Sequence, residues 1–179
     1  QSKGQTYIVY ALDASGSMKG KKIEACKKAG IALAYRAISE RDKVGLIVFG
    51  SEVREVVHPT SDFTQLLKEI TRIKASKETD IVATLRKSVE IFPSDTITKH
   101  LILLTDALPT KGNEPEKSTL EEASIARSKG ITISLIGINL DEKGRKLAEK
   151  IVELGEGRLY VVRNLENVDQ VVLEDYYSV

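Results

Sequence analysis

Apolar residues along the chain follow two kinds of pattern, and each kind predicts one type of secondary structure. Short consecutive apolar runs predict strands that are buried on both faces. These runs are Tyr7–Asp13, Val44–Phe49, Leu101–Leu104, Ile131–Ile138 and Leu159–Val162. Between the runs, apolar residues three or four positions apart predict amphipathic helices. The predicted helices are Ile23–Ile38, Phe63–Ile73, a helix that starts near Asp80, Thr119–Lys129, a helix containing Leu147, Ile151 and Leu154, and Val168–Tyr176.

Glycine and proline set several of the predicted boundaries. A short turn after the second strand predicts a hairpin, in which Val53–Val57 is a third strand that ends at Pro59. Ala107–Ser118 contains two prolines and a glycine and is predicted to be a long exposed loop. Gly155 and Gly157 are expected to end the penultimate helix.

This alternation of strands and helices predicts an α/β fold. We expect a doubly wound, mostly parallel six-stranded sheet in the order 3-2-1-4-5-6, with one antiparallel edge strand and helices on both faces. The 179 residues fit a single domain, and the chain has no internal repeat or interdomain linker. Because the sequence begins at Gln1 without an initiator methionine, we expect residues 1–179 to be one domain excised from a longer chain.

The candidate chemistry lies where two of the predicted strands end. Asp13, Ser15 and Ser17 alternate directly after the first strand, and Asp106 follows the fourth strand. In the predicted order these two strands are neighbours at the switch point, where ligands bind beyond the carboxyl ends of the strands. The two carboxylates, 93 positions apart in the sequence, are therefore expected to converge on one crevice.

A fifth oxygen donor, Thr79, precedes the helix that starts near Asp80 and can face the same crevice. Two carboxylates and three hydroxyls are hard oxygen ligands, which suit Mg²⁺ or Mn²⁺. Because Mg²⁺ prefers about six oxygens, such a sparse site has room for a carboxylate from a partner protein. The predicted metal ligands are Asp13, Ser15, Ser17, Thr79 and Asp106.

These five residues resemble the signature of the von Willebrand factor type A domain, the metal-ion-dependent adhesion site. In that family an Asp-x-Ser-x-Ser run is followed by a Thr and then by an Asp at the end of the fourth strand. The resemblance implies that Ser15, Ser17 and Thr79 ligate the metal directly or in alternate states, and that Asp13 and Asp106 often act through water. It also implies the same wound fold, over nearly the whole chain.

Two positions depart from the commonest family pattern. Lys77 and Glu78 stand where glycines often precede the Thr, and Ala107 stands where glycine often follows the second Asp. The run from Asp106 to Gly112 is similar to prokaryotic intracellular members, which work beside AAA+ ATPases or in chelatase-like assemblies.

Each motif also has a purely structural interpretation. Asp13, Ser15, Ser17 and Thr79 are all residue types that cap helix N-termini, and Asp106 can cap the loop after its strand. We favour metal binding because all five occur in this order on these elements. The loop from Gly16 falls one residue short of the Walker spacing and lacks the Ser or Thr after the lysine, and no Ser/His/Asp or Cys/His set is apparent.

Composition limits the classes of binding partner that the sequence predicts. Lys and Arg number 27 and Asp and Glu 26, a formal charge of +1 that gives no case for nucleic-acid binding. No apolar run approaches the roughly 20 residues of a membrane span. The single cysteine, Cys26, lies on a predicted apolar helix face and excludes an internal disulfide. The absence of disulfides suits the cytoplasm, and the high content of charged residues, 30%, is similar to that of thermophile proteins.

Two groups of basic residues have competing interpretations. Lys19, Lys21, Lys22, Lys27 and Lys28 cluster near the first helix. They form either a solvated face, which we favour, or a collar that attracts an acidic partner. His58 and His100 lie on separate elements without a second His at ligand spacing, so we expect them to be structural or exposed.

The sequence therefore predicts a non-enzymatic, metal-dependent protein-binding module. The metal bridges to a partner's Asp or Glu, within an AAA+ ATPase- or chelatase-associated assembly and in the cytoplasm. One alternative is a metal-dependent hydrolase or phosphatase that uses the same crevice. Another is a cell-surface adhesion domain, since the site chemistry would be identical.

Overall fold

The structure, a computed structural model, describes residues 5–50, 53–75, 81–93, 97–108 and 114–179. Its centre is a six-stranded sheet in the order β3-β2-β1-β4-β5-β6, in which only the β2–β3 pair is antiparallel. The strands are β1 (Thr6–Asp13), β2 (Lys43–Phe49), β3 (Val53–Thr60), β4 (Thr98–Thr105), β5 (Ile131–Ile138) and β6 (Glu156–Val162). The doubly wound order predicted from the sequence is confirmed.

Helices cover both faces of the sheet. They are α1 (Lys21–Ser39), α2 (Phe63–Thr71), α3 (Ile81–Ile91), α4 (Glu114–Ser128), α5 (Glu142–Gly155) and α6 (Val168–Tyr177). Apolar residues of β1, β2 and β4 alternate between two cores. One core packs against α1, α2 and α6, and the other packs against α3, α4 and α5. This is why the strands read as continuous apolar runs rather than as alternating ones.

Two predicted boundaries that were placed by prolines are wrong. β3 continues through Pro59 to Thr60, which is possible because β3 lies at the sheet edge and the missing N–H can face away from β2. α4 begins at Glu114, inside the segment predicted to be a loop. Pro115 is tolerated there because the first turn of a helix leaves its N–H groups without intrahelical partners.

The glycines at the junction of α5 and β6 serve close packing. A Cβ added to Gly155 would lie 2.5 Å from Ile133 Cβ, and one on Gly157 would lie 1.9 Å from the Ile133 carbonyl oxygen. The left-handed conformation that ends the helix belongs instead to Glu156, at φ 56°. Gly155 and Gly157 therefore let the α5–β6 junction approach β5.

A buried polar cluster fixes α6 to the sheet. His100 Nε2 lies 2.6 Å from Asp175 Oδ2, and the Ser134 hydroxyl donates to Asp175 Oδ1 at 2.8 Å. One residue further along, the Tyr176 hydroxyl donates to Asp42 Oδ2 at 2.5 Å. Desolvation by burial is the main cause that raises the pKa of Tyr176, so the phenol remains a hydrogen-bond donor. His100 is thus structural, as the sequence predicted, and His58 is exposed.

Candidate metal site

The site lies at the carboxyl ends of β1 and β4, which are adjacent and parallel. Pairing of Leu12 with Leu104 brings the two strands to their ends at the same level. Asp13 is the last residue of β1, and Asp106 directly follows the last residue of β4. The expectation that these carboxylates converge on one crevice agrees with this register.

Asp13 is a fully buried carboxylate, with 0% of its surface exposed. Its Oδ1 accepts the backbone N–H of Ser15 at 2.8 Å, and its Oδ2 lies 2.6 Å from the hydroxyl of Thr105. The Thr105 hydroxyl also lies 2.8 Å from the Ala107 carbonyl oxygen, but its single hydrogen serves one acceptor at a time. These contacts fix the orientation of the carboxylate.

Burial raises the pKa of Asp13, because a charged carboxylate is poorly solvated there. Hydrogen bonds from Thr105 and Ser15 lower this pKa, and the nearby charge of Asp106 raises it. The net direction is upward. A cation beside Asp13 would offset the cost of the buried negative charge, which is the electrostatic condition that a metal site meets.

A chain of hydrogen bonds connects Asp106 to the loop after β1. The Ser17 hydroxyl donates to Asp106 Oδ1 at 2.8 Å, and the Ser15 and Ser17 hydroxyl oxygens lie 3.2 Å apart. Ser17 is exposed at the mouth of the site, whereas Ser15 is buried. The structure thus brings four of the five predicted ligands together: Asp13, Ser15, Ser17 and Asp106. Thr79 lies outside the described residues.

The second oxygen of Asp106 contacts a lysine. Lys22 Nζ lies 2.9 Å from Asp106 Oδ2, and the two side chains are 31% and 4% exposed. Lys22 is the second residue of α1, so the helix that follows the serine loop supplies a positive charge to the site.

Two residues that contact the site, Thr105 and Lys22, were not predicted from the sequence to contribute to it. The sequence predicts no role for the hydroxyl of Thr105. Lys22 was included in a lysine cluster without a specific partner. Two signals in the sequence could have found them: a hydroxyl next to the Asp that follows β4, and a lysine five residues after the second serine. Both signals can be interpreted only once the pairing of β1 with β4 is known.

The other lysines of the predicted cluster divide between two roles. Lys27 Nζ donates to the carbonyl oxygens of Thr71 and Ile73, both at 3.1 Å. These hydrogen bonds connect α1 to the C-terminal end of α2. Lys19, Lys21 and Lys28 are exposed. The favoured interpretation as a solvated face therefore holds for these three and not for Lys22 or Lys27.

The donor set fits a hard divalent cation. Two carboxylates and two hydroxyls converge at one strand edge, and all four donors are oxygens, as Mg²⁺ and Mn²⁺ prefer. Within the part of the chain that the structure describes, no group of three or more His, Cys, Asp or Glu side chains could hold a metal. The hydroxyl-assisted donors at the ends of β1 and β4 remain a candidate metal site.

Fold and site together define a doubly wound α/β domain with an oxygen-donor crevice at its switch point. A family model described as von Willebrand factor type A domain matches residues 8–109, which include the serine loop and Asp106. The chain belongs to the von Willebrand factor type A domain family. Members are mostly protein-interaction or adhesion modules, and they often bind Mg²⁺ or Mn²⁺.

Two curated relatives show the range of proteins that contain similar sequences. The magnesium-chelatase 67 kDa subunit of Heliobacterium mobile is 28% identical over 118 residues, which cover 63% of this chain and 17% of that protein. The human inter-alpha-trypsin inhibitor heavy chain H4 is 28% identical over 184 residues, which cover 96% of this chain and 20% of that protein. The chain thus spans about a fifth of the length of these relatives.

Among solved structures, the pilus adhesin SpaC of Lactobacillus rhamnosus GG has a TM-score of 0.82 at 19% identity. The alignment covers 99% of this chain and 31% of the adhesin. At this identity the likeness concerns the fold alone. Across the described residues, no helix has the length and apolar character required to cross a membrane.

Proposed function

We propose that this domain is a non-enzymatic protein-binding module that holds Mg²⁺ or Mn²⁺ through Asp13, Ser15, Ser17, Thr79 and Asp106. The cation supplies a positive centre that can accept a carboxylate from a partner's Asp or Glu. The observation that carries the proposal is the hydrogen-bonded connection of four of these donors at the ends of β1 and β4. Thr79, which lies outside the described residues, enters on its position in the sequence and on the family resemblance.

The protein's own residues have distinct tasks in this proposal. Asp13 provides a buried negative charge whose orientation is fixed by Thr105 and by the Ser15 N–H. Ser17 is the exposed donor, so it lies where a partner would approach. Asp106 is positioned by β4 and contacts Ser17, which joins the two strand ends into one site.

The donor set favours metal binding over the alternative of a hydrolase or phosphatase. Two of its four described members are serine hydroxyls, which need an adjacent general base to act as nucleophiles, and no Ser/His/Asp set is apparent in the sequence. In the presence of Mg²⁺, the wild-type protein should therefore hydrolyse a generic phosphate ester no faster than an Asp13→Asn variant does. Turnover that depends on both Mg²⁺ and Asp13 would support the enzyme instead.

The setting that we propose is a cytoplasmic AAA+ ATPase- or chelatase-associated assembly. Similarity to a magnesium-chelatase subunit supports this setting, and a cell-surface adhesion domain is the alternative. Affinity capture on the immobilised domain with Mg²⁺ or with EDTA, followed by mass spectrometry, separates the two by the identity of the proteins released by EDTA. Capture that is unchanged by EDTA and by Asp13→Ala would contradict a metal-bridged partner.

Metal binding itself is tested by thermal unfolding with MgCl₂. At a Mg²⁺ concentration one hundred times Kd, linkage stabilises the native state by about 2.7 kcal/mol, so the melting temperature should rise. Ser17→Ala should remove most of this rise, and the melting temperature of the variant in EDTA measures separately the loss of its hydrogen bond to Asp106. Ser128→Ala, at an exposed serine near the start of β5, is the matched control and should keep the full rise. Failure of Mg²⁺ to shift the wild-type protein would overturn the proposed site.

A further inference from the structure

Lys22 places a positive charge inside the crevice that we assign to a cation. Its Nζ contacts Asp106 Oδ2 at 2.9 Å, while Ser17 occupies Asp106 Oδ1. The carboxylate of Asp106 is only 4% exposed. Because a weakly exposed carboxylate is poorly screened by solvent, an ion pair at this distance is stronger than one on the open surface.

The position of Lys22 in its helix makes this contact informative. A lysine in the first turn faces the positive end of the helix dipole, which is unfavourable for a positive charge. The charge of Lys22 therefore does not stabilise α1 through the helix dipole. The ion pair with Asp106, 84 positions away in the sequence, offsets this unfavourable contribution.

The charge of Lys22 has a direct consequence for the metal. Two ionised carboxylates would neutralise a divalent cation. The ammonium group of Lys22 adds one positive charge, so the net charge of the crevice would then be positive. Lys22 therefore opposes the cation by repulsion and by holding an oxygen of Asp106. It also leaves the metal-bound site with a residual positive charge, which favours an anionic group from outside.

We propose that Lys22 is a tethered competitor of the metal, which holds Asp106 in the metal-free protein and lowers the affinity for divalent cations. This inference rests on the proposed metal site. It makes Lys22 a determinant of metal affinity that the family signature does not include. A metal ion that is bound more weakly, in a site with residual positive charge, would depend more strongly on the partner's carboxylate for full occupancy of the site.

Calorimetric titration with MgCl₂ alone, without any partner protein, tests this inference. The variant is Lys22→Met, which keeps the length of the apolar side chain and removes the charge. Lys21→Met is the matched control, because Lys21 is the exposed neighbour in the same helical turn and has the same effect on the helix dipole. We expect Lys22→Met to lower the Kd for Mg²⁺ about tenfold, which corresponds to about 1.4 kcal/mol, and Lys21→Met to change it less than twofold.

The outcomes separate this inference from the proposed function. Equal Kd values for Lys22→Met and Lys21→Met, or weaker binding by Lys22→Met, would overturn the role of Lys22 and leave the metal site in place. Binding by Lys22→Met but not by the wild-type protein would support the competitor and overturn the proposed function of the wild-type site. Absence of Mg²⁺ binding in all three proteins would overturn both.

A second measurement needs no metal. In EDTA, chemical unfolding of the wild type, Lys22→Met, Asp106→Asn and the double variant forms a double-mutant cycle. A favourable coupling between the two positions supports the ion pair as the metal-free state of the site. Additive effects of the two substitutions would overturn it, whatever the titration shows.

Discussion

The buried pair of His100 and Asp175 provides the sharpest stability prediction, because it joins β4 to α6. The perturbation is Asp175→Ala, which removes the acceptor for two groups. His100 Nε2 and the Ser134 hydroxyl lie 2.6 and 2.8 Å from the Asp175 oxygens, and all three residues are at most 1% exposed. His100 Nδ1 has no hydrogen-bond partner among the described residues, so the ring depends on Asp175.

The magnitude follows from the number of orphaned groups. A buried polar group that loses its partner costs about 1–3 kcal/mol, and two such groups cost about 2–6 kcal/mol. Asp175→Ala should therefore lower the free energy of unfolding by an amount in this range. Glu174→Ala, at the exposed neighbour on α6, should change it by less than about 0.5 kcal/mol.

The assay is chemical unfolding followed by circular dichroism in the presence of EDTA. Adding His100→Leu to Asp175→Ala removes one of the two orphaned groups, so the double variant should be more stable than the sum of the single effects by about 1–3 kcal/mol. Additivity within about 0.5 kcal/mol would refute the reasoning, because it would mean that His100 and Asp175 do not share a buried hydrogen bond.

Two further predictions concern the sheet and the cysteine. Gly45→Ala should destabilise the protein by about 1–3 kcal/mol, because the new Cβ would lie 2.7 Å from the Val57 carbonyl oxygen and 3.1 Å from Pro59 N; an unchanged unfolding midpoint would contradict this close approach. Burial, followed by the charges of Asp13 and Asp106, raises the pKa of the Cys26 thiol to about 12. At about pH 8 a thiol reagent should therefore modify Cys26 only after unfolding in guanidinium chloride, and rapid modification of the native protein would show that the thiol is accessible.

Much of the fold could be predicted from the sequence because the strands are buried on both faces. Such strands appear as uninterrupted apolar runs, and their alternation with amphipathic helices leaves few topologies. The same logic predicted the proximity of Asp13 and Asp106. Parallel neighbours end at one edge, so two strand-terminal carboxylates lie close together once the strand order is right.

The misjudged features depend on position in three dimensions. Pro59 and Pro115 look like breaks in a local pattern, yet an edge strand and a first helical turn both tolerate a missing N–H. The contact of Lys22 with Asp106 joins residues 84 positions apart. The Thr105 hydroxyl acquires its role only when β4 lies beside β1. Local residue patterns contain no information about such contacts.

The separation of Asp13 and Asp106 along the chain also affects when the crevice can form during synthesis. A nascent chain that has released β1 and the serine loop holds one carboxylate, and the second arrives only when β4 has emerged and docked against β1. Any fragment that ends before Asp106 retains both serines but lacks the donor that joins the two strand ends. Capture of a cation by both carboxylates would thus mark a domain whose central strands have already paired, and folding would precede recognition of a partner.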